Sequence, residues 1–110
     1  LMEELIRACE TGDSEKVKEL LKTTDPSQVH DDKFPFSVAC ASSSGYEVVK
    51  ILLEDERVDP NAVTDSQLPP IQITCIEGNY ETFLLLIESN RVDITPLIDC
   101  EMPLFFLCLW

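Results

Sequence analysis

The chain has 110 residues and a mass of 12.4 kDa, with 45% apolar and 7% aromatic residues, the size of one domain able to bury roughly two thirds of its unfolded surface. Eight Lys plus Arg against 21 Asp plus Glu leave a net charge of −13 and a pI near 4.2. That balance all but excludes an electrostatic binder of nucleic acid or of anionic membranes, and it makes any charged partner basic.

In chain order, a first helix carries Ala8-Cys9 and ends near Gly12. A second carries Val17, Leu20 and Leu21, the i, i+3, i+4 spacing that puts three apolar side chains on one helical stripe, flanked by Lys16, Lys18 and Glu19. Asp25-Pro26-Ser27 follows, and Val29 to Phe34 reads as an extended turn. Pro35 opens the next helix, because a missing N–H is harmless in the first helical turn. That helix bears Ala39-Cys40, Gly45 closes it, and Ser42-Ser43-Ser44 adds one residue that predicts a bulged helix end. The stripe recurs as Val49, Leu52 and Leu53, then Asp59-Pro60-Asn61, the extended turn Val63 to Pro69, and a helix from Pro70 with Thr74-Cys75 and Gly78. Phe83, Leu86 and Ile87 form the third stripe. Asp93-Ile94-Thr95 leads into a third extended turn, Thr95 to Met102, ahead of Pro103 and Leu107-Cys108.

Four cysteines, 9, 40, 75 and 108, are thus one recurring position, and Asp25, Asp59 and Asp93 recur at a spacing of 34. Gly12, Gly45 and Gly78 sit between paired helices, where a left-handed residue ends a helix without a Cβ penalty. A helix hairpin of about 33 residues cannot bury its stripe alone, so neighbouring pairs must stack into an all-α solenoid. The approximate units are 1–28, 29–62 and 63–95, with a partial fourth over 96–110.

Phe34-Pro35-Phe36-Ser37-Val38-Ala39-Cys40, Tyr46-Glu47-Val48-Val49-Lys50-Ile51-Leu52-Leu53 and Val58-Asp59-Pro60-Asn61-Ala62 resemble the ankyrin repeat, whose inner helix opens Thr-Pro-Leu-His-x-Ala-Ala. The third unit repeats the pattern over Pro70 to Glu81, and the first enters it at Ala8. Phe34, Pro69 and Met102 stand at the family's Thr, and Ser37, Gln72 and Phe105 at its His. This leaves open the hydrogen bonds that those residues make between repeats and shifts expected stability towards apolar packing. Asp32, Gln67 and Cys100 replace the glycine three residues before each proline, which predicts irregular finger loops.

The residues argue against chemistry. Zinc usually takes a Cys-x2-Cys pair, which is absent, and stacked inner helices would hold the recurring cysteines roughly 8–10 Å apart, too far for a shared ion or a disulfide. They read as small buried apolar residues, and Cys100 as a thiol on a finger tip. His30 beside Asp31 and Asp32 has no nucleophile or oxyanion loop to serve. No catalytic residue, metal site or cofactor is therefore expected. The acidic run Glu54, Asp55, Glu56 and Asp59 reads as a solvated helix end, and Asn61, at a position hydroxylated in many ankyrin proteins, as a shaper of its turn.

The resemblance implies a non-enzymatic protein-interaction module that grips a protein or peptide with its fingers and inner-helix face. Carried over position by position, the contacts are Gln28, His30, Asp31, Lys33, Asp65, Ser66, Gln67, Leu68 and Glu101 on fingers. Glu10, Thr11, Ser42, Ser43, Ile76 and Glu77 add the exposed ends of inner helices. The alternative is a structural spacer or docking segment of a larger multidomain protein. Leu1 in place of Met and the final apolar run suggest a piece of a longer array. Pro103 to Trp110 lacks the polar cap that a solenoid end needs, so the array continues, self-associates through Leu104 to Trp110, or inserts this segment into a partner or lipid. That run is far shorter than the roughly 18 residues of a membrane span. An odd cysteine count and no signal peptide point to a reducing, intracellular location, cytoplasmic or nuclear.

Overall fold

The computed structural model describes residues 1–98. The expectations placed on Cys100, Glu101, Met102, Pro103, Cys108 and the run Leu104–Trp110 lie outside the described residues. Among the described residues there are seven helices and no strand: α1 (Met2–Thr11), α2 (Ser14–Leu20), α3 (Pro35–Ala41), α4 (Tyr46–Leu53), α5 (Pro70–Glu77), α6 (Tyr80–Glu88) and α7 (Thr95–Ile98). Consecutive pairs α1–α2, α3–α4 and α5–α6 pack as hairpins. The inner helices α1, α3, α5 and α7 stack in one layer and the outer helices α2, α4 and α6 in a second.

Local chemistry sets the ends of these helices. Pro35 and Pro70 occupy the first turns of α3 and α5, and the residues before them, Phe34 and Pro69, are extended because a following proline disfavours the helical region. The Asp13 carboxylate accepts the Lys16 N–H at 3.1 Å and so caps α2. Gly12 (φ 77°) and Gly78 (φ 72°) end α1 and α5 in the left-handed region. The N–H groups of Asp13 and Asn79 reach back to the carbonyls of Ala8 and Thr74 at 3.0 and 2.9 Å.

Gly45 departs from that expectation. Its φ is −88°, at the N-terminus of α4, and glycine is needed there because a Cβ would collide with the Ala39 carbonyl. The extra residue of Ser42-Ser43-Ser44 does not bulge the helix either. α3 stops at Ala41, Ser42 turns extended, and the Gly45 N–H closes a turn onto the Ser42 carbonyl at 3.1 Å.

The two left-handed glycines differ in their neighbours, which makes a testable contrast. A Cβ on Gly12 would strike the Ser44 carbonyl of the next unit, whereas one on Gly78 meets nothing nearer than the Tyr80 hydroxyl at 3.8 Å. Gly78→Ala is expected to cost about 1–2 kcal/mol from its backbone conformation alone. Gly12→Ala should cost distinctly more in urea unfolding, because two hairpins must also separate; equal losses would contradict the close approach.

The stripes form one core. Leu5, Cys9 and Val17 of the first hairpin join Ala39, Cys40, Val49 and Leu52 of the second, and Ile71, Cys75, Phe83 and Leu86 of the third, all essentially buried. Cys9, Cys40 and Cys75 are all buried, and burial pushes the Cys9 thiol up to about 12 and the Cys40 thiol higher still, so these two stay protonated packing groups. Ile87 is the exception in its triad, 36% exposed where Leu53 is 9%. α4, which carries Leu53, is packed against α6, whereas among the described residues no outer helix follows α6.

The stretch from Thr95, expected as extended turn, is helical over Thr95–Ile98 and packs on α5 with Leu97 buried. Thr95-Pro96-Leu97 supplies its own helix start: Pro96 sits in the first turn, and the Asp93 carboxylate accepts the Thr95 N–H at 2.9 Å.

Candidate functional site

The fingers are more ordered than their missing glycines suggested. His30 and Lys33 exchange both backbone hydrogen bonds, at 2.9 and 3.0 Å, around Asp31 (φ 50°) and Asp32 (φ 62°). Aspartate tolerates the left-handed region better than most side chains, so the first finger makes a tight hairpin turn without glycine. The Asp32 carbonyl then accepts the Thr64 hydroxyl at 3.0 Å, and the Asp32 carboxylate accepts the Ser66 hydroxyl. These two bonds tie the first finger to the second.

The recurring aspartates do one local job. Asp25, Asp59 and Asp93 each accept the backbone N–H two residues on, at 2.9–3.0 Å. Hydrogen bonds from Ser27 hold the Asp25 carboxyl below its ordinary range, and those from Thr95 do the same for Asp93. Gln28 is folded onto the Asp25 carboxylate at 3.3 Å.

Polar links between units come from residues that the spacing argument did not single out. The Arg57 guanidinium pairs with Asp55 at 2.7 Å and donates to the Leu21 carbonyl at the end of α2. That hydrogen-bonded pairing lowers the Asp55 carboxyl and shows that the acidic run is partly structural. Thirty-four residues on, Arg91 donates to the Leu53 carbonyl at the end of α4 and to the Val58 carbonyl at 2.6 Å. The Asn61 N–H bonds within its own turn, to Asp59, while its side chain bonds to the next unit, donating to the Arg91 carbonyl and accepting from the Asp93 N–H. The Asn79 amide reaches the Cys40 and Ser42 carbonyls at the end of α3, and the Ser42 hydroxyl reaches the Glu10 carbonyl at the end of α1. At the family's histidine position Gln72 keeps an inter-unit bond, to the Pro96 carbonyl at 2.6 Å, while Ser37 makes none.

Between the fingers and the inner helices lies an open groove of about 330 Å³. Its finger side is Lys33 and Gln67, and α1 contributes Glu10. The helical floor is Ser37, Val38 and Ala41 of α3 with the adjoining Ser42, and Ile73 of α5 completes the wall. Of the contacts expected from sequence, the groove brings together Glu10, Lys33, Ser42 and Gln67. Ser37, Val38, Ala41 and Ile73 were missed, although the i, i+4 relation of Ser37 and Ala41 was the available signal.

The other expected contacts lie on the fingers and helix ends. Gln28, Asp31, Ser43, Asp65, Ser66 and Glu77 are exposed, and His30 is half-buried. Leu68 and Ile76 are 48% and 53% exposed, comparable with Val29 at 49% and Ile94 at 53%. Thr11 is exposed, with its hydroxyl on the Arg7 carbonyl. Glu101 lies outside the described residues.

Among the described residues no cluster of three metal-ligating side chains occurs, and no helix is long and apolar enough to cross a membrane. No curated protein and no solved structure matches the chain. A family model described as ankyrin repeats, three copies, matches residues 5–98. Helix hairpins stacked in two layers, proline-started inner helices and finger turns between units agree with that match over most of the sequence, and the chain belongs to the ankyrin-repeat family.

Proposed function

We propose that the chain is a non-enzymatic recognition module whose fingers and inner-helix face grip a protein or peptide segment, basic where it is charged. Ankyrin repeats are generally protein-interaction modules. The observation that carries the finer reading is the groove between Lys33, Gln67 and α3, with Leu68 and Ile76 exposed on the second finger and at the end of α5. Exposed apolar anchors concentrate binding energy, and surrounding acidic groups steer a cationic partner. The buried thiols of Cys9 and Cys40, neither in a disulfide, support a reducing, intracellular setting.

The test compares partner capture by the wild-type chain with capture by the double variant Gln67→Ala, Leu68→Asp. Both positions are on a finger outside the core, so thermal unfolding is expected to move little while a partner held by wild type is lost. Capture of the same proteins by both forms, with folding intact, would remove this face from the proposal and favour a spacer role.

A further inference from the structure

The groove holds two polar atoms in a state that folded proteins avoid. Ser37 is 1% exposed, yet its hydroxyl has no hydrogen-bond partner, and the Gln67 side-chain oxygen is likewise buried and unpartnered. Buried polar groups are nearly always paired, so a lining that leaves two unpaired invites a ligand that pairs them. Both residues line one groove, together with Glu10 and Ser42.

We propose that this groove is a pocket for one arginine side chain of a protein partner, a reading that rests on the recognition function above and names what that face selects. A guanidinium carries five N–H donors and no acceptor. The groove offers acceptors to match: the Gln67 oxygen, the Ser37 hydroxyl and the Glu10 carboxylate. Val38, Ala41 and Ile73 give the apolar surface along which an arginine stem lies while its head is hydrogen-bonded. A lysine ammonium concentrates its donors at one point, whereas the planar fork spreads them across separated acceptors. The chain's net charge of −13 favours a cation, and about 330 Å³ suits a single long side chain.

Both unpaired oxygens are shut from solvent in the free chain. Lys33 and Gln67 belong to the fingers, so their side chains rotate to open the floor without disturbing helix packing. Among the described residues Lys33 is the one cation lining the groove, and it opposes an arginine. It therefore separates this proposal from its opposite, a carboxylate pocket in which Lys33 would be the main ligand.

The experiment is an NMR titration of the full chain with the blocked pentapeptide Gly-Gly-Arg-Gly-Gly, run beside peptides with citrulline or glutamate at the centre. The arginine peptide is expected to move the Gln67 side-chain amide and the Ser37 and Ser42 backbone amides, and to bind more tightly than either control. Glu10→Gln and Ser37→Ala should each weaken it about tenfold, and Lys33→Ala should strengthen it. Ser37→Ala also removes an unpaired buried hydroxyl, so its unfolding temperature should hold or rise while affinity falls. Tighter binding of the glutamate peptide, weakened by Lys33→Ala, would overturn the proposal, as would equal binding of arginine and citrulline or unmoved groove signals at millimolar peptide. If Leu68→Asp alone, which leaves the groove lining intact, loses a captured partner while the arginine peptide leaves the groove silent, the recognition face stands and the arginine pocket falls.

Discussion

Phe83→Ala is expected to lower the unfolding free energy by about 3–5 kcal/mol. Phe83 is 2% exposed in the middle of α6 and occupies the position held by Val17 in α2 and Val49 in α4. Truncation removes most of a buried ring from the layer where α6 meets both α4 and α5. The lost transfer energy is joined by a cavity term, because two helices held by a common core close only partly around the gap. The neighbouring change Leu84→Ala is the control: Leu84 is 44% exposed, so its loss should stay within about 0.5 kcal/mol. Urea unfolding of the two variants decides the matter. A loss below about 1 kcal/mol for Phe83→Ala would mean that α6 is not part of the cooperative unit.

Arg91→Ala is expected to cost about 2–4 kcal/mol, a large loss for a residue on the surface. The last carbonyls of an α-helix have no partner within the helix. Arg91 satisfies one of them, on Leu53 at the end of α4, and also the carbonyl of Val58, which is itself buried. Its removal leaves both acceptors without their charged donor where one hairpin meets the next. Arg57→Ala should cost less, about 1–2 kcal/mol, since Arg57 makes a single inter-unit bond, to Leu21, and otherwise pairs with Asp55 beside it. Arg91→Lys should recover only part of the loss, because one ammonium does not span two carbonyls as a fork does. The first sign should be faster amide exchange at the contact of α4 with α6. A loss for Arg91→Ala no larger than that for Arg57→Ala would show that the second bond contributes nothing.

These two residues mark the boundary of what repetition reveals. Phe83 was legible because apolar residues at i, i+3 and i+4 recur in each unit, and burial repeats wherever the stripe repeats. Arg57 and Arg91 recur at the same spacing of 34 as the aspartates, but a charged residue after a helix has many equivalent readings until its acceptors are known. The third finger shows the converse error. Asp93 was matched to its counterparts and does the same capping job, yet Thr95-Pro96 starts a helix at once where the earlier units insert a long finger. A repeat spacing measured on capping residues does not carry the length of the loop that follows.

For the candidate site, the fingers were found by position and the groove was not. Lys33 and Gln67 sit in finger loops, visible as polar segments before each proline. The groove's floor comes from small residues of α3, whose Ser37 and Ala41 look in isolation like ordinary packing.

The sequence by itself determined the helix hairpins, their order, the buried cysteines and the stacked architecture. These follow from interactions within a few residues of one another, namely helical periodicity, proline at helix starts and glycine at helix ends, repeated often enough to exclude other folds. Only the tertiary structure decided which polar side chains join the units, how the fingers are tied to each other, and that Ser37 and Gln67 are left unpaired beside Glu10. Those outcomes depend on contacts between residues 24 to 39 positions apart, and no local pattern encodes the distance across a stack.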